Sequence, residues 1–496
     1  MTTIAGLVRS NARRVPEREA LVFGPGRLSW RELDLRVDAA AAVLAEHGLR
    51  HGDRCGLMAA NSDEYLVAAY AVLRLGAVLV PVNTRLAVPE IAFIVNDCGA
   101  RLLVHDSGSR EKAFAAMGEL SAAAIGLGEL RSCRRARAAE LGEDVRESDD
   151  ALILYTSGTT GKPKGVLLDH HRAIWAGLAQ LPLGGLSELD RYLHLTPLYH
   201  GSGITMSTAM LLVGGTQIVH ERFEAGQALR TLESERVTVL LGVPTMYQLM
   251  LEHADVSRRD LGAWRIAFFG AAPMPASAVR RLLSVLPRVK LIQQAGQTEA
   301  GPAGIYATAD QVHARPDATG VQAFPYFEAR IVDEHDQDIG PGAVGELILR
   351  GESVMKGYWG LPEASATALR GGWLRTGDLV RVDVDGYLTI VDRLKDVIIT
   401  GGRNVYSVEV ENAIAAHPDV LDCAVLGQPH REYGETVVAV VAVRGDAGLT
   451  LDRIRSHCAE LIADYKLPRE LILAEIPRNA AGKVVKHELR ALLGTE

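Results

Sequence analysis

The chain has 496 residues, with 48% hydrophobic and 23% charged residues and a formal net charge of -8. That length exceeds what one ordinary core supports, so two or more domains are expected. The acidic balance excludes a nucleic-acid footprint, and the basic cluster at 131–137 is short enough to read as a solvated face.

In chain order, residues 29–48 and 63–75 are predicted amphipathic helices, the second followed by an apolar strand at 77–82. Strand-like apolar runs recur at 102–105, 151–154, 192–195, 237–241, 265–269 and 289–293. Continuous apolar runs separated by helices predict an α/β fold with largely parallel sheets covered on both faces. The longest apolar stretch, 203–219, is interrupted by Thr, Ser, Gly and Gln and reads as a buried helix plus a strand rather than a membrane span. From about Phe327 the texture changes to alternating runs at 328–332, 345–350 and 387–391, the pattern of an antiparallel β-rich subdomain. A last αβ unit has strands at 420–426 and 437–443 and a helix at 451–461.

Cys55, Cys98, Cys133, Cys423 and Cys458 are scattered, without CxxC spacing. They fit neither a disulfide framework nor a zinc site and favour a reducing, cytoplasmic setting. The charged N-terminal segment has no unbroken apolar core and is not expected to be a signal peptide.

Several strands end in loops of unusual chemistry: 156–159, 197–201, 242–245, 270–273 and 294–299. Parallel α/β sheets bind ligands beyond the carboxyl ends of their strands, so five such loops point to one crevice. The most informative is Tyr155-Thr156-Ser157-Gly158-Thr159-Thr160-Gly161-Lys162-Pro163-Lys164-Gly165-Val166. Glycines let backbone N–H groups converge, hydroxyls add donors, and two lysines supply charge. Such a loop holds a polyanion, and nucleotide phosphates are the natural candidate. It is not a Walker loop, which would need glycine at Thr156.

This string resembles the signature loop of the adenylate-forming superfamily, which includes acyl-CoA synthetases, stand-alone adenylation domains and luciferase-type enzymes. The resemblance covers almost the whole chain, from Leu28-Ser-Trp-Arg-Glu-Leu33 to Lys483. It implies an acyl-CoA synthetase-like α/β architecture. A large N-terminal AMP-binding domain, residues 1–394, would hold two parallel-sheet subdomains and a β-rich subdomain at about 327–394. A small mobile α+β domain, 395–496, would carry the catalytic lysine.

The implied roles map residue by residue. Thr156 to Gly161 and Lys164 would bind the phosphates of ATP. Gln297-Thr298-Glu299 matches the family loop whose Thr and Glu contact the α-phosphate and hold Mg²⁺. Gly270, Ala271, Ala272 and Pro273 resemble the adenine-facing loop, with Ala295 and Gly296 beside it. Asp378, in Trp373-Leu-Arg-Thr-Gly-Asp378, would take the ribose hydroxyls with Arg393 assisting. Lys483 would bridge the acid's carboxylate and the α-phosphate as charge develops. Lys395 falls at the family's hinge, and Gly401-Gly402 at the loop lining the pantetheine tunnel. His200 would stand between acyl pocket and tunnel. Tyr199, Gly201, Ser202, Gln294, Pro302 and Ala303 would line the pocket. The loop at 197–201 lacks the carboxylate that pairs the ammonium in α-amino-acid adenylation domains.

The chain also departs from the family. Ala295 stands where an adenine-stacking aromatic is usual, a loss of about 1–3 kcal/mol unless another ring such as Tyr326 or Phe327 replaces it. Gln294 occupies a position that is usually small, where it would shorten the pocket and offer an amide to a polar substrate. Gly301-Pro302-Ala303, by contrast, resembles aryl-acid CoA ligases.

The reaction implied is acid plus MgATP to acyl-AMP and pyrophosphate, then displacement of AMP by the CoA thiol. The partners are a small carboxylic acid, ATP and CoA. Alternatives are loading of a carrier-protein phosphopantetheine, activation of an unusual acid, or a catalytically silent nucleotide- or acyl-binding protein, for which Ala295 is the one support. No nucleic acid or membrane span is expected, and the oligomeric state stays open, a homodimer included.

Overall fold

Continuous burial of short apolar strands organises the chain. Residues Val78–Pro81 and Thr216–Val219 are buried at every position, as strands covered on both faces must be. The computed structural model describes residues 2–118, 123–131, 144–156, 162–254, 256–270, 274, 276–445, 448–478 and 484–493. Met1–Ala329 with Leu349–Leu374 form one compact unit; Arg330–Ile348 with Arg375–Glu496 form a second.

The first unit contains two sheets. One has seven strands in the order Gly357–Tyr358, Lys164–Asp169, Asp150–Thr156, Val78–Pro81, Arg54–Met58, Ala100–His105 and Ala123–Gly126. The last five are parallel, and the first two are antiparallel additions at the edge. The other has nine strands, with a parallel core from Glu19–Phe23 through Thr216–Val219, Arg191–His194, Val239–Gly242 and Ile266–Gly270 to Lys290–Gln297. Antiparallel strands Ala303–Ala307 and Gly26–Ser29 extend it.

The expected elements form, with shifted ends. The predicted helix at 29–48 is Trp30–Glu46, started by a capping box in which Ser29 and Glu32 exchange hydrogen bonds. The stretch at 203–219 is the helix Gly201–Val213 and the strand Thr216–Val219, separated by left-handed Gly214. The strand expected at 289–293 runs on to Gln297, so residues 294–297 are strand rather than loop. The reason is an antiparallel partner, Ala303–Ala307, which pairs Gln297 with Ala303 and Gln293 with Ala307.

In the second unit lies most of a four-stranded sheet, in the order Phe327–Val332, Val344–Gly351, Leu374–Val382, Leu388–Arg393. A further sheet orders Arg403–Val405, Ile398–Thr400, Gly434–Val443 and Val420–His430, with Glu470–Leu473 parallel to Gly434–Val443. Its core packs Val410, Ile414, Val425, Val441 and Ile454.

Arg74 is 4% exposed and ties three helices of the first unit together. It pairs with Asp38 and, at 2.7 Å, with Asp34, and donates to the Ala5 carbonyl at 3.1 Å; Arg9 reaches Asp38 at 3.0 Å. Removing one partner of a buried pair strands the other charge. Arg74→Met is expected to cost about 3–5 kcal/mol, read as a lowered urea midpoint for the first unit; an unchanged midpoint contradicts this.

Burial pushes the imidazoles of His170 and His194 down to about 4. His170 accepts from the Ile4 amide at 3.4 Å, and His194 Nε2 lies 3.1 Å from Gln217 Oε1. Both folded-state values lie below the ordinary 6.5, so the unfolded chain binds more protons below that pH. Their contribution is complete above 6.5 and is lost as pH falls towards 4, at about 1.4 kcal/mol per pH unit for each. Urea midpoints are expected to fall between pH 7 and pH 5, less steeply in His194→Gln. A slope identical in that variant refutes the assignment.

Candidate active site

The polyanion-type loop leaves strand Asp150–Thr156 and returns as strand Lys164–Asp169, with Thr156 opposite Lys164. The Thr156 hydroxyl donates to the Lys164 carbonyl at 3.5 Å. Ser157 to Gly161 lie outside the described residues. On the other side of Lys164–Asp169, Tyr358 pairs with Val166. The Lys164 ammonium stands 5.0 Å from the centre of the Tyr358 ring. The Tyr358 hydroxyl donates to Glu299 Oε1 at 3.0 Å. The Met355 amide holds the Glu299 carbonyl at 2.9 Å, and Ser353 Oγ donates to the Ala300 carbonyl at 2.7 Å. One tyrosine thus brings the base of the phosphate-type loop and the candidate metal carboxylate to one place.

Glu299 sits in a single turn, Thr298–Ala300, directly beyond strand Lys290–Gln297. Gln297 Nε2 is a buried donor with no hydrogen-bond partner. An orphaned donor beside Thr298 and Glu299 fits an anionic oxygen such as a phosphate supplies. Among the described residues no group of three or more His, Cys, Asp or Glu side chains could cage a metal. Mg²⁺ is commonly held by one or two carboxylates together with phosphates and water, so Glu299 alone fits that ion.

Loop 197–200 is fixed by Asn61, which is buried: its amide donates to the Thr196 carbonyl at 3.0 Å and its oxygen accepts from the Leu198 amide at 2.7 Å. The loop ends at His200, which precedes helix Gly201–Val213. A Cβ on Gly201 would lie 2.5 Å from Pro302 Cγ, so glycine permits the close approach of these two predicted pocket residues. Burial pushes His200 down to about 4, helped by the positive charge of Arg85, so its ring is neutral near pH 7. His200 Nε2 is buried without a hydrogen-bond partner. Tyr199 stacks obliquely on His200 at 4.8 Å, its phenol raised by burial and opposed by Arg85. Ser202 is half-buried in the first turn of the helix.

Gly270 ends strand Ile266–Gly270, where a Cβ would collide with the Gln294 carbonyl. Ala271, Ala272 and Pro273 lie outside the described residues. Ala295 and Gly296 lie in the strand opposite Ile305 and Gly304. The two candidate replacement rings have these neighbours. Tyr326 meets Trp175 edge-on at 5.2 Å, and Phe327 packs against the cluster of Ala179, Ala303 and Phe324. Gln294 Nε2 donates to Gln180 Oε1 at 2.7 Å.

Within the second unit, Asp378 faces Arg393 across two antiparallel strands, at 2.7 Å. Lys395 follows in the turn Leu394–Asp396; desolvation holds its ammonium below the usual lysine range, with Arg393, Arg490 and Lys486 acting in the same direction against Asp396. Gly401 and Gly402 have φ of 56° and 74° and form the two-residue turn of hairpin Ile398–Thr400/Arg403–Val405. A turn with both residues at positive φ demands glycine on its own account. Lys483 lies outside the described residues, but both legs of its loop are tied down. Arg478 bridges to Val484 and grips Asp422 through two contacts of 2.7 and 2.8 Å. Lys486 donates to Ser407 Oγ at 2.8 Å, and Arg490 pairs with Asp396 at 2.9 Å.

Sequence reasoning missed Tyr358, Asn61, Arg85 and Gln180. The dipeptide Gly357-Tyr358 is too short for a periodic strand signal. A buried Asn or Gln has no local pattern that separates it from a surface one.

Comparisons with known proteins agree with this geometry. Residues 8–359 match the family described as AMP-binding enzyme, and residues 409–483 match the AMP-binding enzyme C-terminal domain. A feruloyl-CoA synthase of an Amycolatopsis species is 36% identical over 493 residues, 97% of each chain. The indoleacetate–CoA ligase of Aromatoleum aromaticum is 35% identical over 494 residues, 96% of each chain. Among solved structures, the o-succinylbenzoate CoA synthetase of Bacillus subtilis, in complex with its acyl-adenylate intermediate, superposes with a TM-score of 0.91 at 28% identity over 99% of each chain. The amide bond synthetase of Marinactinospora thermotolerans does so at 0.89 and 29%, also over 99% of each chain. The chain belongs to the AMP-binding enzymes of the adenylate-forming superfamily.

Proposed function

We propose that this enzyme is an AMP-forming acid–CoA ligase. The carboxylate oxygen of the acid attacks the α-phosphorus of ATP, and the bond to the bridging oxygen breaks so that pyrophosphate leaves. The CoA sulfur then attacks the acyl carbon, the acyl–oxygen bond breaks, the thiol proton is lost to solvent, and AMP departs. The observation that carries this reading is the convergence of Lys164 and Glu299 on Tyr358. Relatives named as CoA synthases and ligases support the same reading.

In this scheme the 156–164 loop binds phosphates, and Gln297 and Thr298 meet the α-phosphate. Asp378 and Arg393 hold the ribose. Glu299 would hold Mg²⁺, which when bound supplies positive charge at the leaving pyrophosphate. Lys483 meets the charge that develops between carboxylate and phosphorus. His200, neutral near pH 7, donates or accepts a hydrogen bond beside the acyl carbon but brings no cation there. The hinge at Lys395 lets the C-terminal domain, 395–496, bring first Lys483 and then Gly401-Gly402 to the reacting atoms. A cytoplasmic setting accords with free, buried Cys55, Cys98, Cys423 and Cys458. No helix among the described residues is long and apolar enough to cross a membrane.

A second acceptor reading has a specific basis: an amide bond synthetase superposes as well as the AMP complex of the o-succinylbenzoate CoA synthetase, each with a TM-score of 0.89. Competition among CoA, a carrier-protein phosphopantetheine and a free amine for the acyl-adenylate identifies the acceptor, and CoA is expected to win.

Replacing Lys483 with Ala is expected to slow adenylation by on the order of 10²–10³, measured as acid-dependent pyrophosphate exchange. Thioester formation from supplied acyl-AMP should survive. Equal loss in both half-reactions removes the lysine from its role. Tyr358→Phe keeps the ring beneath Lys164 and deletes the hydroxyl on Glu299. The loss of one charge-assisted hydrogen bond, about 1.5–3 kcal/mol, should lower the exchange rate and raise the Mg²⁺ concentration needed for half-maximal exchange. A wild-type Mg²⁺ dependence in that variant contradicts the proposed site.

A further inference from the structure

Gln180 lies on helix His170–Gly184, outside every motif of the site, and is only 2% exposed. Its oxygen accepts the 2.7 Å hydrogen bond from Gln294. That single bond uses one acceptor of Gln180 and one donor of Gln294. The Gln180 nitrogen and the Gln294 oxygen have no other hydrogen-bond partner among the described residues. Exchanging oxygen and nitrogen on both amides leaves the same outcome: the pair still offers one unused NH₂ and one unused carbonyl.

The surroundings are apolar and aromatic. Ala179, Ala303 and Phe324 form a buried cluster with Leu183, Tyr306 and Phe327 packed on it. Tyr306 lies directly opposite Gln294 across the strand pair and meets Phe324 edge-on at 5.8 Å. A mostly apolar wall with one convergent polar pair is the usual make-up of a small-molecule site. Gln294 and Gln297 are three residues apart along the strand, about 10 Å, with Thr298 next beyond it. That span suits one aromatic ring on a short spacer, with the carboxylate at Thr298 and the far end at the amides.

We propose that Gln180 and Gln294 together read a hydroxyl at the distal end of an aryl acid, accepting its proton at one amide and donating to its oxygen from the other. The inference rests on the ligase reading above and names its substrate class. A hydroxyl both donates and accepts, so it satisfies the pair in either amide orientation. A plain alkyl or phenyl terminus would cover the two amide groups without pairing them, which is how a polar site rejects an analogue lacking the matching group.

The test compares 3-(4-hydroxyphenyl)propenoic acid with 3-phenylpropenoic acid in pyrophosphate exchange, using the full chain, Gln180→Met and Gln294→Met. The wild type is expected to favour the hydroxylated acid by at least about tenfold in kcat/KM. In each variant the ratio should fall towards one. Equal wild-type values for the two acids overturn the proposal without any variant. So does a ratio that persists in Gln180→Met. Exchange with other acids but no preference refutes the hydroxyl reader alone; no exchange with any carboxylic acid refutes the ligase reading itself.

Discussion

Opposite charges that serve one ligand have to be kept apart until that ligand arrives. In the proposed site Lys164 and Glu299 are such a pair, and left in contact they would neutralise each other. Tyr358 stands between them: its ring face receives the ammonium, and its hydroxyl caps the carboxylate. Among the described residues Lys164 makes no salt bridge. A cation over an aromatic face is held by about 0.5–1 kcal/mol at an exposed site, weak enough to be given up to a phosphate. The arrangement keeps both charges preorganised at small cost to reorganisation. Tyr358 is itself fixed by the sheet, since its strand pairs with Lys164–Asp169, the strand that returns from the loop.

The same logic recurs at the other predicted site positions. His200 and Glu299 each follow a strand and are held by hydrogen bonds to nearby backbone. Asn61 pins the start of the His200 loop through Thr196 and Leu198, and the Met355 amide pins the Glu299 turn. In the second unit, the Arg478–Asp422 ion pair, the Lys486–Ser407 hydrogen bond and the packing of Ile476 and Val484 on Ala424, Leu426 and Val440 secure the two legs of the Lys483 loop. Arg490 links the helix that follows it to Asp396, next to the hinge lysine.

Much of this was legible in the sequence because the strand cores are unbroken apolar runs and the loops that follow are dense in Gly, Ser and Thr. Strands at 102–105, 192–195 and 265–269 appear within a few residues of expectation. The strand through Gln294 was cut short because its last residues are Gln, Ala, Gly and Gln, whose pairing depends on the distant partner Ala303–Ala307. Tyr358 was invisible because its role comes from a neighbour nearly two hundred residues earlier. Gln180 was hidden because nothing local tells a buried amide from a solvated one. The missing aromatic at Ala295 was visible; of the two rings named beside it, Tyr326 is exposed and meets Trp175 edge-on, and Phe327 packs against the Phe324 cluster.

The central claim is that a carboxylate oxygen of the acid becomes bonded to the α-phosphorus. An acid labelled with ¹⁸O in its carboxylate, turned over with ATP and CoA, tests this directly by mass spectrometry of the products. One labelled oxygen should appear in AMP and the other remain in the thioester. Unlabelled AMP, or label in pyrophosphate or in orthophosphate, would contradict the account.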